Sequence, residues 1–439
     1  MNLVVETLPL DGLGEREGEM EAGKPTMAAL AAGIAGRVPK ERFSWAYGMA
    51  LGLGVFTMLG IPGVYAGLLV YLATALVRSA DDWLAWVQGG ASGAMEAGWR
   101  TAVFLGGLGL GVAVLGCLLR PFFVKPSGRG QRLALSPAME PKLFGFIQLI
   151  CDALGVPRPD RVEVDCRMNA SAGLRRGPGS LFSDAWVLTL GLPMVAGLGV
   201  TEFSGILAHE LGHLGQGWAF RAFHVVRRMG EWLEAAAGRA GSEEVWGSWS
   251  LESDGRIHQW VVGSLRLGVW FSEAVIGGLR VVCLMVNHSL LRQMELRADR
   301  VQIEWVGSET FEATFRRLCV LAGVQREVYR DLRRRWMAGE FLPENLPEAW
   351  VGRADGISEE TAEGYCARRL ERERDAWDAH PSDGSRLDRA RSMARAGVFR
   401  CEGRASGLFS HFAALATQVT ALHYGEDLRW KRRGGRGGE

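Results

Sequence analysis

The sequence predicts a mainly helical α+β protein, in which a transmembrane hairpin of two helices precedes a domain with a small antiparallel β-sheet. Two long apolar blocks occur within the first 120 of the 439 residues, and each is long enough to cross a bilayer. Short stretches that alternate apolar and polar residues follow, which is the pattern of half-buried strands. Much of the remainder has the period of amphipathic helices, so helix dominates the prediction.

The N-terminal segment, residues 1–42, is rich in Glu and Asp before any apolar block begins. It lacks the basic start and the immediate apolar core of a cleaved signal peptide. We therefore expect these residues to form a disordered cytosolic tail.

The two apolar blocks define the predicted hairpin, residues 43–125. No charged residue occurs between Arg42 and Arg78, and none occurs between Arg100 and Arg120. A membrane-spanning helix needs about 20 such residues. The alternative is a soluble protein in which both blocks are core.

Glycines four residues apart recur in both blocks. Gly107 and Gly111 lie in the second block, and Gly48 and Gly52 repeat the spacing in the first. Small residues at this spacing let two helices approach closely in lipid. The spacing therefore predicts that the two helices pack against each other.

Basic residues flank the hairpin mainly on its outer sides. They are Arg37, Lys40 and Arg42 before it, and Arg120, Lys125, Arg129 and Arg132 after it. The segment between the blocks carries fewer basic residues, opposed by three acidic ones. The positive-inside rule then places both termini in the cytosol. The prediction is an integral membrane protein, of the bacterial inner membrane, with its catalytic domain in the cytosol.

The region 126–400 is predicted to be one domain. Its expected elements are a helix over Pro141–Leu154, strands at Val162–Asp165 and Trp186–Leu190, and a helix from Val200 to Trp218. Glycines and prolines between these stretches predict turns or loops.

Two later regions complete the chain. Residues 257–294 are apolar but interrupted by charges, so they predict either a helix packed on the membrane surface or the hairpin, or a third span. Residues 401–439 are expected to form a C-terminal helix and a basic, glycine-rich tail.

The overall charge and the cysteines exclude some classes of protein. Lys and Arg number 50 against 49 Asp and Glu, so no net positive field favours nucleic acid. The seven cysteines are scattered, with no CxxC pair. An odd, unpaired set argues against a disulfide framework and for a reducing compartment.

The sequence His209-Glu210-Leu211-Gly212-His213 carries the chemistry. Two histidines four residues apart stack on one face of a helix, where both rings can bind one Zn²⁺. Glu210 is adjacent to the first ligand and can act as general base towards a zinc-activated water. The alternative is a helix with two surface histidines, which the apolar neighbours disfavour.

A catalytic zinc site needs a third protein ligand. The best candidate is Glu295, in the sequence Glu295-Leu296-Arg297-Ala298-Asp299. Asp299 lies one helical turn later on the same face. It can accept the free ring N–H of a zinc-bound histidine and fix its orientation.

Further motifs occur in a fixed order around these residues. They are Asn169-Ala170, Leu188-Thr189-Leu190-Gly191-Leu192-Pro193, and His380-Pro381-Ser382-Asp383-Gly384-Ser385-Arg386. Together with the histidine motif and Glu295-x-x-Ala298-Asp299, this set resembles the membrane zinc metallopeptidases that include the bacterial heat-shock protease HtpX and the CAAX prenyl proteases. The resemblance covers roughly residues 140–395 and the preceding hairpin.

The resemblance implies a zincin-like domain and a role for each motif. His209, His213 and Glu295 would hold one Zn²⁺ per subunit, with Glu210 as the general base. Either His380 or Arg386 would stabilise the oxyanion. The substrate-binding residues would be Asn169 and Ala170, together with an edge strand formed by Val187, Leu188, Thr189 and Leu190.

These observations lead to three hypotheses. The first is a membrane-tethered zinc endopeptidase that cleaves unfolded or membrane polypeptides, without nucleic-acid partners. The second is a proteolytically silent zinc-bound membrane scaffold that binds partners without cutting them. The third is a soluble peptidase with apolar core helices. The intact base Glu210 favours the first over the second.

Overall fold

The computed structural model describes residues 24–39, 45–89, 93–119, 132–174, 185–215, 256–371 and 381–427, together with residues 217, 220, 221, 224, 225 and 232. This part of the chain is mainly helical with a small sheet. The described helices are α1 (Met27–Ala32), α2 (Trp45–Gln88), α3 (Ala94–Leu119), α4 (Pro141–Leu154), α5 (Leu192–Gly197), α6 (Val200–Leu214), α7 (Arg256–Val306), α8 (Ser308–Ala338), α9 (Leu346–Asp355), α10 (Glu359–Glu371), α11 (Asp383–Met393) and α12 (Phe412–Leu422). The strands are β1 (Leu133–Leu135), β2 (Arg161–Asp165), β3 (Ala170–Leu174) and β4 (Trp186–Gly191).

The chain divides into two compact units. One, the site unit, comprises residues 1–43, 129–221 and 291–439, and the other, the apolar unit, comprises residues 44–128 and 222–290. The predicted domain 126–400 is therefore discontinuous, because residues 222–290 belong with the hairpin. Residues 401–427 belong to the site unit rather than to a separate segment.

The predicted hairpin belongs to the apolar unit. A Cβ on Gly107 would lie 2.1 Å from the ring of Trp83, and one on Gly111 would lie 2.4 Å from Leu76. Helices α2 and α3 thus pack against each other at these two glycines, as the spacing predicts. A Cβ on Gly48 would meet no atom of the described residues within 4 Å.

Helices α2 and α3 are both long and apolar enough to cross a membrane. Their outer faces carry exposed aromatic and aliphatic side chains, such as Trp45, Phe56 and Val112. At 1.5 Å per residue, the 44 residues of α2 extend about 66 Å, well beyond a bilayer core of about 30 Å. The predicted span therefore continues as helix through the charged residues that follow it.

The first part of α7 packs against the hairpin. A Cβ on Gly268 would lie 3.2 Å from Val114 in α3, and Ser272 donates a hydrogen bond to the carbonyl of Cys117 at 3.3 Å. Cys283 contacts Met58 of α2, with a sulfur–sulfur distance of 3.1 Å. This confirms packing against the hairpin, one of the arrangements predicted for residues 257–294.

The sheet of the site unit has the order β1-β2-β4-β3. Strand β1 pairs with β2, and β3 with β4, in antiparallel fashion, whereas β2 and β4 are parallel. The sheet is therefore mixed, and the prediction of an antiparallel sheet is wrong for its central pair. Parallel neighbours need a long connection, and here the chain returns through β3 before forming β4.

Strand β4 lies inside the sheet, between β2 and β3. The prediction that Val187, Leu188, Thr189 and Leu190 form the edge strand is wrong. Leu188 and Leu190 are fully buried in the core, as expected for a strand covered on both faces. The described edge next to β4 is β3, which begins at Ala170.

The N-terminal segment is part of the core of the site unit. Leu30 in α1 is completely buried, and Ile34 forms a β-bridge with Phe399. The carbonyl of Gly33 accepts a hydrogen bond from the amide of Arg400 at 3.1 Å. The prediction of a disordered tail over residues 1–42 is therefore wrong for the described residues 24–39.

Candidate metal centre

Helix α6 carries both predicted histidine ligands. Its N-terminus is capped by Glu202, whose carboxylate accepts the amide hydrogen of Gly199 at 2.8 Å. Phe203, Leu207 and Leu211 are fully buried, so one face of α6 lies in the core. This fixes the direction in which His209 and His213 point.

Two glycines bring α6 close to the end of α7. A Cβ on Gly205 would lie 3.1 Å from Val306, and one on Gly212 would lie 3.1 Å from Val301. Larger residues would push the helices apart, because backbone and β-branched side chains meet there. This close contact places the last turns of α7, with Glu295 and Asp299, beside the histidines.

His209, His213 and Glu295 form a group that could hold a metal ion. Glu295 Oε2 lies 3.6 Å from His209 Nε2, and its Oε1 lies 3.8 Å from His213 Nε2. Three ligands of a tetrahedral zinc ion at 2.0–2.1 Å are about 3.4 Å apart. The distances therefore fit one ion, and both His213 and Glu295 are buried.

Asp299 lies on the other side of His209. Its Oδ1 is 3.1 Å from His209 Nδ1, and the side chain has no exposed surface. The ring is thus held with Nδ1 towards Asp299 and Nε2 towards Glu295. This is the arrangement by which an outer carboxylate orients a metal-ligating histidine.

Arg386 supports Asp299 from the far side. Its Nε and NH2 groups donate to the two carboxylate oxygens of Asp299 at 2.7 and 2.5 Å. A second carboxylate, Asp383, lies 3.8 Å from Arg386 NH1 and accepts a hydrogen bond from Arg369 at 3.0 Å. Arg386, one of the two residues predicted to stabilise the oxyanion, pairs with these carboxylates.

The electrostatics of the centre favour a positive charge. Burial lowers the pKa of His209, but the carboxylates of Asp299 and Glu295 outweigh it and raise that pKa to about 10. Burial raises the pKa of Asp299, but Arg386 and His209 hold it at about 2. A divalent cation would take the place of the histidine proton and satisfy the same carboxylates. The donor set therefore fits a metal chemically as well as geometrically.

Glu210 contacts the edge of the sheet. Its Oε2 accepts a hydrogen bond from the amide of Ala172 in β3 at 2.9 Å. That N–H consequently points away from β4, towards the side of β3 on which the described part of the chain has no further strand. The predicted base and the outer side of β3 thus lie side by side.

The remaining predicted residues occupy varied positions. Asn169 is exposed and precedes β3, and its carbonyl accepts the amide hydrogen of Gly191 at 2.7 Å. Ala170 is the first residue of β3 and pairs with Leu190. Thr189 is buried and accepts a hydrogen bond from Arg132. His380 lies outside the described residues.

Three residues near the centre were not predicted. Asp383 lies within the His380–Arg386 motif, but its position fits a solvated helix start equally well. Ala172 contributes only a backbone N–H, and Arg369 is one of many arginines in a charged region. No sequence signal could have identified either of these two.

No family model, no curated protein and no solved structure matches this chain. The resemblance to the membrane zinc metallopeptidases therefore rests on the sequence motifs alone.

Proposed function

We propose that the protein is a membrane-tethered zinc endopeptidase. The observation that carries the proposal is the hydrogen bond between Glu210 and Ala172. It joins Glu210, the proposed general base next to the candidate ligand His209, to β3, which is an edge strand of the described sheet. A metal site with a neighbouring carboxylate and a peptide-binding edge is the minimal equipment for peptide hydrolysis.

Substrate would bind as an added strand. An extended polypeptide laid against β3 can pair with backbone groups that β4 does not use. Its own backbone then runs past Glu210. The proposal thus moves the substrate-binding role from Val187–Leu190 to the segment from Asn169 to Leu174.

Each residue of the centre has a part in the mechanism. Zinc would supply a Lewis acid that acts on water and on the substrate carbonyl. Glu210 takes a proton from the attacking water and returns it to the departing amine. Asp299 holds the His209 ring in place, and Arg386 keeps Asp299 ionised and oriented.

The donor set also favours zinc over harder metals. Two imidazoles and one carboxylate match the ligands of catalytic zinc, whereas magnesium and calcium prefer oxygen ligands. The purified protein is expected to contain one zinc ion. Metal analysis by mass spectrometry measures this directly.

The decisive experiment compares wild type with Glu210→Gln. The amide is nearly isosteric but cannot accept a proton, so zinc content should be unchanged while casein cleavage is lost. A chelator should stop cleavage by wild type, and added zinc should restore it. Equal cleavage by Glu210→Gln would refute the mechanism. Absence of cleavage by zinc-loaded wild type would instead favour the silent scaffold.

A further inference from the structure

A second polar feature lies one helical turn from the metal centre. A cleft of about 720 Å³ opens between the end of α7 and helix α11. It is lined by Arg292, Leu296, Pro381, Ser382, Ser385, Asp388, Arg389 and Ser392. This volume falls within the range of small-molecule binding sites, so the cleft is larger than a single ion requires.

Two arginines line the cleft without an acidic partner among the residues that the structure describes. Arg292 and Arg389 form no ion pair there, and the Nε–H of each is buried without a hydrogen-bond acceptor. Other arginines of α11 are paired, Arg386 with Asp299 and Arg391 with Glu312. A half-buried guanidinium without a carboxylate favours an anion, because little else in the cleft balances its charge.

The other charged and polar groups do not cancel this charge. Asp388 also lines the cleft, but it is exposed and its carboxylate lies 3.6 Å from Arg391 rather than beside Arg292 or Arg389. Ser385 donates to the carbonyl of Ser382, and Ser392 to that of Arg389. Ser382 Oγ accepts the amide hydrogen of Ser385 at 3.3 Å and keeps its own O–H free to donate. The lining therefore offers donors and net positive charge.

The position of the cleft links it to a substrate. Leu296 follows the ligand Glu295, and Arg292 lies three residues before it, about 4.5 Å along the helix axis. An extended chain advances about 3.3 Å per residue. A residue only a few places from the reacting bond can therefore reach the arginines.

We propose that this cleft is a specificity site that binds a carboxylate of the polypeptide substrate, namely an Asp or Glu near the cleaved bond. The inference rests on the proposed endopeptidase activity for its biological meaning. Arginine matches a carboxylate through two parallel N–H donors. Hydrogen bonds to charged groups are strong enough to change affinity about tenfold or more.

The test uses the full-length protein in detergent and peptides that span a mapped casein cleavage site. Each peptide carries Asp or Asn at one of the three positions on either side of the cleaved bond. At one or more of these positions, wild type should cleave the Asp peptide with a kcat/KM about tenfold higher than that for the matching Asn peptide. The preference should weaken as sodium chloride screens the charges.

Variants of the cleft then assign the preference to its residues. Arg292→Gln and Arg389→Gln should each reduce the Asp/Asn ratio towards one. Arg395→Gln is the matched control, because it removes an exposed charge that pairs with Glu304 outside the cleft, and it should leave the ratio unchanged. Asp388→Asn should raise the ratio, by about twofold.

Binding provides a readout that does not depend on turnover. Fluorescent peptides bound to Glu210→Gln should show the same preference for Asp, and the added substitution Arg292→Gln should abolish it. Equal binding and equal cleavage of Asp and Asn peptides would overturn the inference while leaving the endopeptidase intact. The inference would equally be overturned if inorganic phosphate bound the cleft while the peptides did not differ. If zinc-loaded wild type cleaves no casein, the proposed function is refuted. Binding of Asp- and Asn-containing casein peptides would then still decide whether the cleft binds a carboxylate.

Discussion

At the scale of single residues, Asp299 connects the candidate ligands to the charged groups behind them. Asp299→Asn keeps the shape of the side chain but removes the charge that orients His209. We expect zinc affinity to fall about 10–100-fold, as for other outer-shell carboxylates. Competition for zinc with a chromophoric chelator measures this affinity. Asp388→Asn is the control, because it makes the same substitution at an exposed site away from the candidate ligands. Unchanged affinity would show that Asp299 does not support the site.

Arg386 provides a separate test of the same interaction. Arg386→Gln leaves the buried Asp299 carboxylate without its two donors. Removing one partner of a buried ion pair costs about 3 kcal/mol or more. The exposed pair of Arg395 and Glu304 offers a control, because Arg395→Gln should cost less than about 1 kcal/mol. Chemical denaturation followed by intrinsic fluorescence compares the variants, and equal unfolding midpoints would contradict the assignment.

At the scale of elements, the packing of α2 on α3 depends on small residues at defined positions. Gly111→Leu would place a side chain against Leu76, whereas Gly109→Leu meets no atom within 4 Å of the new Cβ. We expect only the first to lower the thermal stability in detergent. A second change, Leu76→Ala, should restore part of the loss. Equal effects of Gly111→Leu and Gly109→Leu would show that the close contact does not matter.

Strand β3 offers the corresponding test for substrate binding. Ala172→Pro removes the N–H that contacts Glu210, and proline is tolerated on an edge strand where the N–H faces away from the sheet. Zinc content should persist while casein cleavage is lost. Retained cleavage would mean that substrate does not use this edge.

The elements differ in how well the sequence predicts them. Helix α6 has a clear apolar period, and its two histidines mark one face, so helix and ligands could both be predicted. The run from Trp186 to Leu190 is apolar almost throughout, which fits either an edge or an inner strand. Its position depends on pairing with β2, a contact between distant segments that no local pattern encodes.

At the scale of the whole molecule, α2 and α3 expose a continuous apolar surface within their unit. We predict that the protein stays with the membrane fraction after an alkaline carbonate wash and requires detergent for release. Immunoblotting of the two fractions measures this. Release by carbonate alone would support the soluble alternative.

The division into units was the least predictable property of the chain. Residues 222–290 join the hairpin, while the segments on both sides of them build the site unit. Leu30 lies in a short apolar helix, Met27–Ala32, and nothing in its local sequence specifies the distant segments with which it shares a core. Contacts between remote segments decide such assignments, and one sequence does not reveal them.

The bridge between Ile34 and Phe399 also restricts how the chain can be threaded through a bilayer. Because residues 24–39 share a core with residues 132–221 and 291–427, all three segments must lie on the same side. The number of crossings between residues 39 and 132 is therefore even, so α2 and α3 cross together or not at all.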